Sequence, residues 1–323
     1  MSRSAIVFGG SGFIGRHLLK SLKSRGYGRL VSVDIRREDN PLQGVEYVMG
    51  DVRQSLDDVL SETFDEAYNF AAVHTTPGHE DHEYYNTNVY GAINVTNYCT
   101  AHKIDMIVFT SSIAVYGPDE TPKSEESSME PVSAYGHSKL QAEGIHRQWA
   151  ASNDQRRLAI VRPAVVFGPN EGGNFTRLPQ ALKTGVFFYP GRRDTIKGCG
   201  YVEELIRTFE FALSRNQSTY LYNFCYPTPY TIEDICETYC TVAKLPRPKG
   251  VIPTSLMKLA TIPFEVLNAL GIRNGICRAR VLKLVHSTHI TPNRLVEDGY
   301  EFDTDLEAGL RRWQAAAPEG RFV

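Results

Sequence analysis

Long hydrophobic runs are missing from this chain of 323 residues. Its most apolar stretch, 251–272, is broken by Pro253, Lys258, Pro263 and Glu265, so no segment reaches membrane-spanning length. An excess of one charge is missing too. Thirty-five Lys and Arg face 37 Asp and Glu, a formal net charge of -2, which excludes a protein that coats nucleic acid or anionic membrane through its overall charge. Cysteine is sparse. The six cysteines (Cys99, Cys199, Cys225, Cys236, Cys240, Cys277) are scattered and follow no secretory signal, which predicts reduced thiols in a cytoplasmic protein rather than a disulfide framework. Cys236 and Cys240 share a helix face but lack further ligands at zinc spacing, so no metal site is expected there. Repeats and low-complexity tracts are absent as well, which excludes a solenoid.

What is present is an ordinary globular composition with 42% apolar residues, enough for one large core or two fused lobes. Charge is uneven along the chain. Residues 1–165 carry 16 basic and 21 acidic side chains, leaving 19 and 16 for residues 166–323. Between Glu265 and Glu297 no acidic residue occurs, while Arg273, Arg278, Arg280, Lys283 and Arg294 do, so the second half suits either a solvated basic face or an anionic ligand.

Apolar runs rich in β-branched residues (5–8, 30–34, 45–49, 67–72, 106–110, 158–161) alternate with helix-period segments (13–25, 84–102, 134–150). This is the pattern of a Rossmann-type α/β protein, a doubly wound parallel sheet. After Pro163 the rhythm breaks into Gly- and Pro-punctuated pieces with helical stretches at 202–213 and 232–242. We therefore divide the chain into a doubly wound sheet domain, 1–165 with a later contribution from about 200–225, and a smaller lobe over 166–323.

Directly after the first strand the chain reads Phe8-Gly9-Gly10-Ser11-Gly12-Phe13-Ile14-Gly15, opening a helix. Glycines there permit a tight turn and let a diphosphate lie against bare N–H groups at a positive helix end. Asp34 ends the second strand 19 residues beyond Gly15, where a carboxylate accepts the hydroxyls of an adenosine ribose. It would also repel a 2'-phosphate, favouring NAD over NADP, although Arg36 and Arg37 follow closely. Ser111-Ser112 end the fifth strand, and Tyr135 and Lys139 lie at i, i+4 on the next helix. An ammonium on that face can lower the pKa of the phenol and make it a base near neutral pH, with a Ser hydroxyl holding the substrate oxygen.

Together these residues resemble the extended short-chain dehydrogenase/reductases, and within them the nucleotide-sugar epimerases, reductases and dehydratases. The resemblance rests on Gly9-x-x-Gly12-x-x-Gly15, Gly50-Asp51-Val52-Arg53, Asn69-Phe70-Ala71-Ala72, Asn86-Thr87-Asn88-Val89-Tyr90-Gly91, Thr110-Ser111-Ser112 through Gly117, Tyr135-x-x-x-Lys139 and Arg162-Pro163 through Pro169. It implies a cofactor site formed by Gly9, Gly12, Phe13, Ile14, Gly15, Asp34, Asp51, Val52, Ala71, Ala72, His74, Asn88 and Pro163, together with Tyr135 and Lys139. Asp51 and Val52 would hold the adenine, and Asn88 would support the fifth strand. Ser112, Tyr135 and Lys139 would be the catalytic residues. Asn174, Phe175, Arg192 and Lys197 would meet a nucleoside-diphosphate sugar, with Ser112 at the reacting oxygen and Arg193 in support. The resemblance also implies a homodimer through helices 84–102 and 134–150.

Where dehydratases of this group carry an Asp-Glu pair, this chain has Ile113-Ala114, which removes the acid and base needed to expel water. Val165 stands where many galactose-type epimerases have Asn. The expectation is a cytoplasmic NAD-dependent epimerase, acting at C4 of a nucleotide sugar through a transient keto-sugar. A one-way 4-keto-sugar reductase, a hydroxysteroid-type dehydrogenase and a dinucleotide-sensing binding protein are the alternatives. His74, His79 and His82 share a loop with Glu80, Asp81 and Glu83, a set that reads as a loop edge rather than a metal site. Trp149 and Trp313 read as packing residues.

Overall fold

The structure is a computed structural model that describes residues 2–76, 78–257, 259, 285–317 and 321–322. Arg273, Cys277, Arg278, Arg280 and Lys283 lie outside the described residues. Seven strands, β1 (Ser4–Phe8), β2 (Arg29–Asp34), β3 (Glu46–Met49), β4 (Glu66–Asn69), β5 (Met106–Thr110), β7 (Arg157–Pro163) and β11 (Thr219–Phe224), form one sheet in the order β11-β7-β5-β4-β1-β2-β3. Every pairing in it is parallel. Three two-stranded pieces lie outside: β6 (Asp119–Lys123) with β13 (Thr288–Ile290), β8 (Val165–Phe167) with β10 (Cys199–Tyr201), and β9 (Tyr189–Pro190) with β12 (Val251–Ile252).

A parallel sheet must be covered on both faces, so its strands read as continuous apolar runs, as in Ser4-Ala5-Ile6-Val7-Phe8. Alternation then sends successive side chains to opposite cores. Val7, Val108 and Val161 pack with Leu18, Leu19 and Leu22 of α1 (Phe13–Ser24) and Leu205 and Phe209 of α6 (Val202–Leu213). Ile6, Phe8, Ile107 and Phe109 pack instead with Val95 and Tyr98 of α3 (Gly91–Ala101) and Ala142 and Trp149 of α4 (Ala134–Ala151). A third core joins Phe167, Phe175 and Tyr239 to Trp313, drawing on α5 (Asn174–Lys183), α7 (Ile232–Ala243) and the C-terminal helix Leu306–Ala316. Both tryptophans are buried, as their packing assignment requires. The five described cysteines are thiols.

Two boundaries differ from the periodicity. The fourth strand stops at Asn69, because Phe70–Ala72 leave the sheet at its carboxyl edge. The expected helix 84–102 is three pieces, α2 (Asp81–Tyr84), a π-helical turn (Tyr85–Tyr90) and α3. A π turn inserts one residue per turn relative to an α-helix and is common where a side chain must be re-aimed at a site. Strand order reverses between β1 and β4, and the crevice outside their carboxyl ends is the position where such sheets bind ligands.

Candidate active site

The glycine turn is built to admit a ligand backbone-first. Gly9 has φ +83, and a Cβ there would meet the Ala71 nitrogen at 2.7 Å. A Cβ at Gly15 would meet the Gly9 carbonyl at 2.5 Å, so only glycine lets α1 pack against the turn. α1 starts at Phe13 with no side-chain cap and no acidic residue in its first turn, which leaves its N–H groups and positive helix end for an anion. Asp34 closes the turn from the side: its carboxylate accepts from the Ser11 N–H at 3.1 Å and the Arg36 N–H at 2.9 Å. These residues fit a dinucleotide in which Gly9, Gly12 and Gly15 receive the diphosphate and Asp34 the ribose.

Further along, Asp51 pairs with Arg53 at 2.6 Å, and Val52 is buried with its carbonyl accepting from Asn94 at 2.7 Å. Ala71, Ala72 and Pro163 are half-buried at the carboxyl ends of β4 and β7. Asn88 sits on the π turn, buried, and holds Val73 by both its backbone groups (3.0 and 3.1 Å) and Ser138 Oγ at 2.9 Å. The expectation that Asn88 supports the fifth strand is therefore corrected. It ties the segment after β4 to α4, and the π turn re-aims it there. His74 lies near enough to Lys139 to feel its charge. Burial first, and then that charge, lower the pKa of the imidazole.

Ser112, Tyr135 and Lys139 converge at the end of β5. Ser133 caps α4, accepting from Gly136 N–H at 3.1 Å, which sets Tyr135 in its first turn and Lys139 one turn later. The Tyr135 phenol lies close enough to Ser112 for that side chain to favour its ionised form, and the Ser112 oxygen accepts from Ala114 N–H at 3.1 Å. Lys139 is 2% exposed, donates to the Thr110 carbonyl at 2.8 Å and lies 4.8 Å from the Phe109 ring centre.

This corrects one electrostatic expectation. Burial raises the Tyr135 pKa above its ordinary value and the neighbouring Ser112 only offsets this, while the Lys139 amine is directed to Thr110 and not to the phenol. Burial lowers the Lys139 pKa to about 7, against an opposing pull from Glu143.

Beneath these groups runs a buried polar chain that sequence reasoning missed. Arg162 holds Glu143 with two parallel bonds (2.8 and 2.7 Å), and Ser111 donates to the same carboxylate at 2.5 Å. Arg162 also donates to Tyr116 at 2.7 Å, and Tyr116 to Asn223 of β11 at 2.8 Å. Glu143 lies eight residues beyond Tyr135, on the Lys139 side of α4. That two-turn spacing was the available signal.

The expected substrate residues follow β8, outside the seven-stranded sheet. Asn174 opens α5. Phe175 stacks on Phe167 with ring centres 4.7 Å apart and is 5% exposed, so its side chain belongs to the core and only its backbone can meet a ligand. Lys197 donates to the His286 carbonyl at 2.7 Å, and burial lowers its pKa to about 8. Arg192 pairs with Glu120 and donates to Ser287 Oγ at 2.8 Å. Hydrogen bonding to Arg192 first among several contacts draws the Glu120 pKa down to about 2. Glu120 was not anticipated: it follows the Thr110-to-Gly117 run closely, but its partners Arg192 and Ser287 come from distant segments. Arg193 turns away to Glu233 at 3.0 Å. His79 pairs with Glu83 at 3.3 Å, and among the described residues no three His, Cys, Asp or Glu are grouped to hold a metal ion.

Two outcomes test this description. Arg162→Met should destabilise the protein by about 3–5 kcal/mol in urea unfolding, because it strands a buried carboxylate, and adding Glu143→Gln should recover part of the loss. Because Lys139 titrates near pH 7 when folded but near 10.4 unfolded, the folded state binds fewer protons between those values. Its contribution to stability therefore rises with pH through that window, and Lys139→Met should flatten the rise in a series of thermal melts.

The model of a family described as the NAD dependent epimerase/dehydratase family matches residues 5–224. The chain is 28% identical over 321 residues to an N-acetyl-alpha-D-glucosaminyl-diphospho-ditrans,octacis-undecaprenol 4-epimerase of Escherichia coli O157:H7, covering 97% of this chain and 94% of that protein. It is 27% identical over 207 residues to a bifunctional UDP-glucose 4-epimerase and UDP-xylose 4-epimerase of Pisum sativum, covering 58% of this chain and 59% of that protein. Its fold is shared with MoeE5, solved in complex with UDP-glucuronic acid and NAD, at a TM-score of 0.75 and 22% identity over 97% of this chain and 99% of that one.

Proposed function

The chain belongs to the NAD dependent epimerase/dehydratase family, and from that premise we propose that it inverts C4 of a sugar carried on a diphosphate, the nucleotide sugars being its substrate class. The observation that carries this reading is the convergence of Ser112, Tyr135 and the buried Lys139 at the end of β5, with the glycine turn at the same sheet edge. Held by Gly9, Gly12, Gly15 and Asp34, NAD would supply the hydride acceptor and donor that a transient keto-sugar requires. Tyr135 accepts the proton of the C4 hydroxyl and later gives it back, and Ser112 holds that oxygen. Lys139, held on the Thr110 carbonyl, would bind the nicotinamide ribose. Dehydration is not supported, because Ile113 and Ala114 follow Ser112 and bring no acid or base.

In this reading the sheet domain holds NAD, and Asn174, the Phe175 backbone, Arg192 and Lys197 meet the substrate across the crevice. One observation favours a second carrier. The polyprenyl-diphosphate relative is matched over nearly its whole length, whereas the bifunctional UDP-glucose and UDP-xylose epimerase is matched over 59% of its length. A lipid diphosphate offers the same two phosphates to the same cations. We further infer a homodimer through segments 84–102 and 134–150, supported by exposed Tyr90 and Ile93 in the first of them. Light scattering should then report twice the 36.2 kDa of one chain.

Tyr135→Phe deletes the oxygen that moves the proton while keeping the ring. Turnover should fall by at least about 100-fold with NAD affinity little changed, and near-normal turnover would remove Tyr135 as the acid–base group. Calorimetry should find NAD bound at least about tenfold more tightly than NADP, roughly 1.4 kcal/mol, because the Asp34 carboxylate repels a 2'-phosphate. Equal affinities would assign Arg36 or Arg37 to phosphate capture.

A further inference from the structure

Two segments of the smaller lobe carry no carboxylate. Residues 172–193 hold Arg177, Lys183, Arg192 and Arg193, and residues 238–257 hold Lys244, Arg247 and Lys249. In a chain with a net charge of -2 this is a local concentration of cations. The fold brings the two segments together. β9 and β12 pair in parallel, Lys249 N–H donates to the Phe187 carbonyl at 2.9 Å, and Tyr189 N–H donates to the Gly250 carbonyl at 2.8 Å.

The apolar side chains of this joined edge are divided in an unusual way. Tyr189 is buried, and Phe187 packs edge-on against it with ring centres 6.4 Å apart. The alternate residues Val186 and Phe188 instead face solvent, 60% and 39% exposed. The Phe188 ring lies over Gly250, where a Cβ would come within 3.7 Å of it, beside Val251 at 39% exposure. Leu256 and Leu259 follow at 55% and 62%. Lys183, Lys244, Arg247 and Lys249 are all exposed in the same two segments. Apolar side chains held outward among cations, without a carboxylate in either segment, match the boundary between lipid headgroups and acyl chains.

We propose that this face docks on an anionic lipid bilayer, with Val186, Phe188, Val251 and Leu256 entering the headgroup boundary and Lys183, Lys244, Arg247 and Lys249 on lipid phosphates, while Arg192 and Arg193 stay with Glu120 and Glu233. The docking is peripheral, which agrees with the absence, among the described residues, of any helix long and apolar enough to cross a membrane. α5 links the face to the chemistry. Its ten residues run about 15 Å from Asn174, at the proposed substrate contact, to Lys183 at the docking face. A diphosphate in the crevice could thus keep a lipid tail directed to the bilayer. The proposal deepens the lipid-carrier reading given above and rests on it for its purpose, but vesicle binding is measured without turnover.

The test is co-flotation of the full chain with vesicles of phosphatidylglycerol and phosphatidylethanolamine, against vesicles of phosphatidylcholine alone. Binding to the anionic vesicles, weakened by salt and at least tenfold stronger than to phosphatidylcholine, is expected. Val186→Ser with Phe188→Ser should reduce it at least tenfold, and Lys183→Gln with Lys249→Gln should abolish the preference for anionic lipid. NAD affinity and thermal melting should not change in either variant, since none of the four residues touches the cofactor site. No flotation of the parent chain, or flotation unaltered by both pairs of substitutions, would overturn the proposal. So would light scattering in which Val186→Ser with Phe188→Ser converts a dimer to a monomer, which would assign the face to a second copy. Flotation by a chain that fails to epimerise any polyprenyl-diphosphate sugar would sink the lipid-carrier reading alone.

Discussion

A single buried ion pair organises the centre of this molecule. Glu143 and Arg162, each with a side chain 2% exposed, join α4 to β7 through two parallel hydrogen bonds. Neither charge could be buried without the other, because an isolated ion in the interior costs several kcal/mol even after relaxation. Their union fixes more than themselves. Ser111 is anchored on the carboxylate and Tyr116 on the guanidinium, so both ends of the Ser111–Tyr116 segment, which includes Ser112, are held from below. Tyr116 passes the constraint to Asn223, and Asn223 donates to the Thr291 carbonyl at 3.1 Å, which reaches the smaller lobe. The carboxylate also opposes the desolvation of Lys139 and keeps that amine within reach of its charged form at neutral pH.

Much of the architecture was legible because parallel sheets and glycine turns leave local marks. A strand buried on both faces must be apolar throughout, and a turn that a Cβ would obstruct must be glycine, so β1, β2 and the Gly9-to-Gly15 segment can be read without neighbours. Tyr135 and Lys139 were legible for a similar reason, since four residues on a helix is a spatial statement. What escaped was set by contacts between distant segments. The direction of the Lys139 amine depends on the Thr110 carbonyl, the Asn88 contact on a π turn with no simple periodicity, and Glu120 on a strand whose partner is Thr288–Ile290, more than 160 residues away. The burial of Phe175 follows from a stacking partner, Phe167, on another element.

The Arg192 guanidinium is held by acceptors of the protein itself. Arg192 meets Glu120 and Ser287, and Ser287 itself bonds Glu120 by its N–H at 3.1 Å and its hydroxyl at 2.8 Å. In the proposed reading, a ligand phosphate at Arg192 would compete with a carboxylate that is drawn from exposed surface and is cheap to release. The cation is thus held in a defined place beforehand, and a dianion with several acceptor oxygens is better equipped than a single carboxylate to take it over.

The seventh strand has a consequence for how the chain comes to be made. β11 lies beside β7 in the sheet, yet between them the chain leaves to build β8, α5, β9, β10 and α6. During synthesis from the N-terminus, β7 therefore emerges with one edge unpaired and keeps it until Thr219–Phe224 follow. An open apolar edge in a slowly closing parallel sheet is the kind of surface on which other strands add. The nascent chain is most exposed to misassembly after Pro163 and before Phe224, so the interval that matters for its yield in the cell is the time taken to translate roughly sixty residues that belong to other parts of the fold.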